Sequence, residues 1–145
     1  MLSHVDVLTP NQSELRILGG FRPDDAADTA ELAGRLLAKG VGCVVVTRGE
    51  EGAVVFHEDG RTESVPGYPV EATDTTGAGD AFNAALAVFL AEGRELSEAV
   101  RIAAITGALT CTKLGVVAGL PGRRDVESIM ASEGISWRRE IWTST

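Results

Sequence analysis

Apolar positions along the chain follow two periods. Val5-Asp-Val-Leu8 is a short β-like run closed by Thr9-Pro10, and Gly42-Cys-Val-Val-Val-Thr47 is a longer one, rich in β-branched residues and apolar throughout. Between them the spacing turns helical twice. Leu15 and Leu18 mark a helix that opens after Asn11 and stops at Gly19-Gly20. Ala33, Leu36 and Leu37 mark a second helix, capped by Asp24 or Asp25, running to Lys39 and stopped by Gly40. Strand, helix, strand in that order predicts a parallel sheet with both faces covered. Ala53–His57 and Arg61–Val65, flanking Glu58-Asp-Gly60, then read as a hairpin, and Pro66-Gly-Tyr-Pro69 breaks the pattern.

The second half of the chain reads as helical. Phe82, Ala85, Leu86, Phe89 and Leu90 fall in a helix from Gly77 to about Ala91 that is apolar almost all round and is therefore expected to be buried. After Gly93, Ser97 is the expected cap of a helix from Glu98 to about Lys113, carrying Val100, Ala103, Ala104, Gly107, Ala108 and Cys111. Its small residues permit close packing or the close approach of a flat ligand. Arg123 to Ser132 is a last, weak helix. The tail at 135–145 holds two tryptophans, which dock either on this domain or on another chain.

Composition narrows the function classes. At 145 residues, 44% of them hydrophobic, the chain is long enough to bury a core as one domain of an ordinary globular protein. No apolar run reaches membrane-spanning length and the start has no leader-like pattern, so the expectation is a cytoplasmic protein with no membrane partner. The net charge of −8 is uneven: residues 1–75 hold 13 acids and 6 bases, the remainder 8 and 7. The basic stripe that nucleic acid would require is missing. Cys43 and Cys111 read as reduced core residues, and His4 and His57 lack the spacing of metal ligands.

The candidate chemistry lies in Asp74-Thr-Thr-Gly-Ala-Gly-Asp80, which runs straight into the apolar helix. Small residues at a loop-to-helix junction let the backbone N–H groups of Gly77 to Asp80 converge on one point, where the helix dipole favours a phosphate. A carboxylate at Asp80 beside bound phosphate is unfavourable unless it takes part in the reaction. The simplest role is a general base for an attacking hydroxyl. No Gly-Lys-Ser/Thr follows, so this is not the Walker loop, and the absence of G-x-G-x-x-G after a strand disfavours a Rossmann dehydrogenase.

The stretch from Asp74 to Ala87 resembles the carboxy-terminal signature of the ribokinase-like (PfkB) family of carbohydrate and nucleoside kinases. The resemblance covers about residues 5 to 131 and corresponds to the carboxy-terminal half of the family fold. It implies an α/β, three-layer Rossmann-like ribokinase fold, carboxy-terminal half only. Residues 1–134 would form a nucleotide-binding half and 135–145 a tail.

By that resemblance Asp80 is the catalytic base, and the N–H groups of Gly77, Ala78 and Gly79 form the anion hole. Leu8-Thr-Pro-Asn-Gln-Ser-Glu14 looks like the family's Asn-x-x-Glu segment, which places Asn11 and Glu14 near the nucleotide phosphates, with Glu14 holding hydrated Mg²⁺ through water. From the residues alone, Asn11 and Glu14 make a capping box, and the two readings are compatible. Thr47-Arg-Gly-Glu-Glu-Gly52 follows a strand, where an open α/β sheet places ligands. In the family Thr47 and Gly49 lie along the nucleotide, Gly52 shapes the loop, and the position of Arg48 is often small or apolar. Ala104 stands near the adenine. Thr112 to Pro121, including Lys113 and Gly115, resembles the loop that with Asp74 and the Thr76 carbonyl holds a monovalent cation, potassium in this reading, although Gly119 replaces a frequent side-chain oxygen.

The resemblance thus implies ATP and Mg²⁺ as cofactors and a sugar-like acceptor. The family's acceptor-binding half has no counterpart in these residues. Strands left without it would expose an edge and an apolar patch, so a homodimer or a complementing amino-terminal half is the expected partner. The rival is a nucleotide-binding or oligomerising module without turnover.

Overall fold

The computed structural model describes residues 2–115 and 119–135, so the expectations for residues 116–118 and for nearly all of the tail lie outside the described residues. The chain divides into two compact units, Met1–Pro66 and Gly67–Thr145.

The first unit is a sheet with helices. Strand β1 (Val7–Leu8) leads into helix α1 (Gln12–Leu18), helix α2 (Thr29–Leu37) follows, and strands β2 (Cys43–Thr47), β3 (Ala53–His57) and β4 (Thr62–Val65) complete it. The strand order is β1-β2-β3-β4. β1 and β2 are parallel, with Val7 opposite Cys43, as the strand-helix-strand pattern predicts. The remainder of the sheet departs from that expectation. β2 and β3 are antiparallel because only the five residues Arg48–Gly52 join them, too few for a crossover, and β3 and β4 form the expected hairpin.

Side-chain alternation decides what the sheet covers. Val44 and Val46 of β2 join Phe56 of β3 on one face, where Leu15, Leu32, Ala33, Leu36 and Val41 pack as the core of this unit. α2 starts later than its acidic run suggested. Asp28, rather than Asp24 or Asp25, is its cap and accepts from the Glu31 N–H at 2.8 Å, while Asp25 closes a preceding turn by accepting from the Arg22 N–H at 2.9 Å. An Asp can cap only where its own backbone leaves the helix, and Asp28 is extended at φ −70°, ψ 123°.

In the second unit, helix α3 (Ala78–Ala91) is followed by α4 (Leu96–Thr110) and α5 (Arg123–Ser132). α3 was expected to be buried because it is apolar almost all round, and in this unit one stripe of it is. Ala81, Phe82, Ala85, Leu86 and Phe89 are buried, while Asn83, Ala84, Ala87 and Val88 are exposed, because α4 is its packing partner in this unit and covers one stripe. Gly107 of α4 makes the contact close. A Cβ there would lie 3.1 Å from the Ala78 carbonyl oxygen, so this glycine lets α4 approach the first turn of α3. α4 itself begins at Leu96 with Glu95 as cap, not at Ser97, and ends at Thr110 rather than Lys113. The Val126 and Met130 side chains of α5 are buried, and Arg101 bonds Glu133 at 3.0 Å.

Leu36 carries the clearest packing test. It is 1% exposed, and truncation to Ala removes buried methyl groups from a closed cluster. Leu36→Ala should cost about 2–5 kcal/mol in urea unfolding; a loss below about 1 kcal/mol would mean that the first unit repacks freely.

Candidate functional site

The sequence-derived site residues form two groups, one in each unit. In the first unit they gather at the carboxyl ends of the two parallel strands. Thr47, the last residue of β2, donates its N–H to the Pro10 carbonyl at 3.0 Å, and a parallel bridge joins it to Asn11. Asn11 and Thr47 are therefore neighbours although 36 positions separate them in the sequence. A crevice at the carboxyl ends of parallel strands is where open α/β sheets place ligands.

The capping box expected at α1 is present. The Asn11 Oδ1 accepts from the Glu14 N–H at 2.9 Å, and the Glu14 Oε2 accepts from the Asn11 N–H at 2.8 Å. This reciprocal pair fixes both side chains at the end of β1. It leaves the Asn11 amide nitrogen and Glu14 Oε1 without a hydrogen-bond partner among the described residues, on exposed side chains. Glu14 thus keeps one carboxylate oxygen open to solvent at the end of β1.

The turn after Thr47 needs its glycines. Gly49 and Gly52 have φ of 58° and 90°, in the region costly for side chains, and Arg48 donates its N–H to the Gly52 carbonyl at 2.8 Å. Arg48, whose role the sequence left open, lies 3.5 Å from the Glu51 carboxylate, and its Nε is buried without a hydrogen-bond partner among the described residues.

In the second unit the loop before α3 is clasped to the end of α4. The Thr73 and Asp74 N–H groups both donate to the Cys111 carbonyl, at 2.7 and 3.1 Å. The Asp74 carboxylate accepts from Thr76 N–H through Oδ1 at 2.9 Å and from Gly115 N–H through Oδ2 at 3.2 Å. The Thr76 side chain first, and then the Thr76 and Gly115 N–H groups, hold the pKa of Asp74 below the usual aspartate value. The clasp also accounts for the early end of α4, since the Cys111 carbonyl faces the incoming loop rather than another helical turn. Thr73 and Cys111 were missed as members of this site. Main-chain contacts leave no side-chain signature, and Cys111 reads only as a core residue.

Gly77 caps α3 at φ 83°, ψ −1°, a left-handed conformation that suits glycine. The four expected amides are not equivalent. Ala78 N–H donates back to the Thr75 carbonyl at 3.3 Å, whereas those of Gly77, Gly79 and Asp80 have no acceptor among the described residues. A Cβ at Gly79 would meet nothing within 4 Å, so the approach to these amides is open. Asp80 is exposed, and its carboxylate makes no hydrogen bond or ion pair among the described residues. Ala104 is half-buried on α4.

The expected monovalent-cation loop is described only in part. Asp74 already accepts one bond at each oxygen from a backbone N–H, Lys113 and Gly115 follow the end of α4, and Gly119 cannot carry a side chain as it stands, because a Cβ there would lie 2.7 Å from the Thr110 carbonyl.

The clasp predicts an acid-sensitive loop. A carboxyl whose folded pKa is depressed stabilises the fold above its unfolded pKa and loses that contribution as pH falls through the folded value. Asp74→Asn replaces one accepting oxygen by a donor, so it should destabilise the protein at pH 7, with the gap from the parent closing as the pH falls below the ordinary aspartate range. Thermal melts of both proteins at stepped pH values check this; a gap that stays constant with pH removes Asp74 from the clasp.

Comparison with known proteins gives the family and the fold. Residues 1–123 match the pfkB family carbohydrate kinase. The ribokinase of Haemophilus influenzae is 34% identical over 125 residues, which is 86% of this chain and 40% of that protein. The crystal structure of the Thermotoga maritima ribokinase superposes with a TM-score of 0.83 at 33% identity, over 90% of this chain and 43% of that one. The Arabidopsis thaliana ribokinase, solved with ribose and ATP, gives 0.81 at 31% identity, over 89% of this chain and 42% of that one. The chain spans about two-fifths of the length of these relatives. Its α/β fold is that of the ribokinases, and the chain belongs to the pfkB family of carbohydrate kinases.

Proposed function

We propose that this chain is the nucleotide-binding and catalytic-base part of a kinase that transfers the terminal phosphoryl group of ATP to a hydroxyl of a sugar or a related small molecule. The observation that carries the reading is the start of α3. An exposed carboxylate without a partner among the described residues, Asp80, adjoins backbone N–H groups that are likewise without acceptors, in a chain of a carbohydrate-kinase family.

The chemistry follows from those groups. Asp80 takes the proton as the acceptor oxygen bonds to the terminal phosphorus and the bond to the bridging oxygen of ADP breaks. The N–H groups of Gly77, Gly79 and Asp80 receive the charge on the phosphoryl oxygens, and the Ala78 N–H joins them if the phosphate displaces its long bond to Thr75. Asn11, Thr47 and Gly49 lie along the nucleotide, Gly52 holds the loop's turn, and Ala104 borders the base. Magnesium, held through water by Glu14, would neutralise phosphate charge. A potassium-like ion would use Asp74, the Thr76 carbonyl and the loop at Lys113 and Gly115 to draw charge toward the same amides.

The span of the chain supports a second reading. Positioning the acceptor is much of what a phosphoryl-transfer enzyme contributes, and about three-fifths of the relatives' length has no match here. A carboxy-terminal half lacking the acceptor-binding part would bind nucleotide without turning it over, unless a second copy or a complementing half completes it.

Calorimetry with ATP and ADP release over a panel of sugars and nucleosides separate the two readings. For the kinase, Asp80→Asn should leave ATP affinity within a few-fold and lower turnover by at least ~10²-fold. Turnover within a few-fold of the parent would remove Asp80 from the role. ATP binding with no turnover in the parent supports the module.

A further inference from the structure

Several arginines of this fold are spent on the protein itself. Arg16 donates to the Pro23 carbonyl at 3.1 Å, Arg94 to the Glu98 carboxylate at 2.7 Å, and Arg123 to the Glu92 carboxylate at 2.8 Å. Arg48 differs from these. Its Nε is buried without a hydrogen-bond partner among the described residues, and its Nη1 lies 3.5 Å from the carboxylate of Glu51, a side chain 68% exposed. The Arg48 side chain itself is only 25% exposed. A loose pair with a solvated carboxylate contributes little, whereas a guanidinium withdrawn from water without hydrogen bonds is costly until an acceptor reaches it.

The place of Arg48 indicates what that acceptor is. It follows β2 between Thr47 and Gly49, the two residues proposed above to lie along the nucleotide, and Thr47 is bridged to Asn11. The turn closes without the side chain. The Arg48 N–H donates to the Gly52 carbonyl at 2.8 Å, the Glu51 N–H to the Arg48 carbonyl at 3.2 Å, and the Gly52 N–H to the Gly49 carbonyl at 3.1 Å. The guanidinium is therefore free of a part in forming the loop.

Charge points the same way. The groups proposed to meet the nucleotide and its ions include the carboxylates of Glu14, Asp74 and Asp80, and among them Lys113 is the one cationic side chain. A triphosphate among carboxylates is repelled unless cations offset it, and the planar guanidinium fork matches two phosphate oxygens at once.

We infer that Arg48 is a phosphate ligand for the nucleotide, its guanidinium leaving Glu51 to donate to phosphate oxygens. This rests on the function proposed above and adds a contact particular to this sequence, because the family that it resembles often carries a small or apolar residue at this position. Glu51 is then a competitor that holds the guanidinium until phosphate replaces it.

The test is calorimetry on the full chain with Mg–ATP, tripolyphosphate and adenosine as probes. Arg48→Met should lower affinity for ATP and tripolyphosphate at least ~10-fold and leave adenosine within about two-fold. Arg48→Lys, which returns the charge without the fork, should fall between that variant and the parent. Glu51→Gln should keep or raise ATP affinity. Circular dichroism should match the parent throughout, since the main-chain bonds of the loop remain. Should Arg48→Met fail to fold, Arg48→Lys and Glu51→Gln still decide, the first weakening ATP and the second not. ATP affinity that ignores both Arg48 variants would overturn the inference and leave the nucleotide reading standing. Equal losses for ATP and adenosine, or equal losses in Arg48→Met and Glu51→Gln, would make the pair a brace for the loop and overturn it too. A parent that binds neither ATP nor tripolyphosphate would sink the inference and the nucleotide reading together.

Discussion

The site depends on one main-chain oxygen. The Cys111 carbonyl receives the N–H groups of Thr73 and Asp74, and that pair of bonds ties the approach to α3 to the end of α4. The Asp74 carboxylate completes the clasp by turning toward Thr76 and Gly115. Each of these bonds is modest by itself, about 1 kcal/mol net for a neutral pair. Together they remove the freedom of the loop that must present Gly77 in a left-handed conformation. Without that rigidity, the unpaired amides of α3 would not hold a common direction, and preorganised donors are what stabilise a charge as it develops. Gly107 serves the same end, because any larger residue would force α4 away from the Ala78 carbonyl.

The corner of the first unit proposed to bind nucleotide follows a similar economy. Asn11 and Glu14 satisfy the start of α1 and, by the same bonds, set the geometry of the groups proposed to meet phosphate and magnesium. Structural and functional readings of such residues need not compete. A carboxylate fixed by one backbone N–H still has lone pairs for a hydrated cation. Thr47 is placed by the Pro10 carbonyl in the same way, so the corner rests on backbone pairing between the ends of parallel strands.

In the first unit the exposed apolar side chains Ile17 and Leu18 belong to the helix that follows β1, an edge strand of the sheet. In α3 the outward stripe is Ala84, Ala87 and Val88, which an isolated surface helix would more often fill with charge. Apolar patterning in this sequence therefore exceeds what the described residues bury.

Sequence alone determined a great deal here, because the informative constraints are local. Gly-Ala-Gly-Asp after Asp74-Thr-Thr fixes a loop-to-helix junction through residues that tolerate unusual backbone angles, and Asn11 with Glu14 fixes a cap three positions apart. The hairpin at Glu58-Asp-Gly60 and the strand at Cys43–Thr47 were legible for the same reason. Tertiary structure alone decided the antiparallel return of β3, the bridge from Asn11 to Thr47, and the one-sided burial of α3. It also decided that α4 ends at Thr110, where the Cys111 carbonyl finds partners almost 40 residues earlier in the chain. Such pairings join backbone groups distant in the chain, and backbone groups are the same in every residue, so no pattern of side chains announces them.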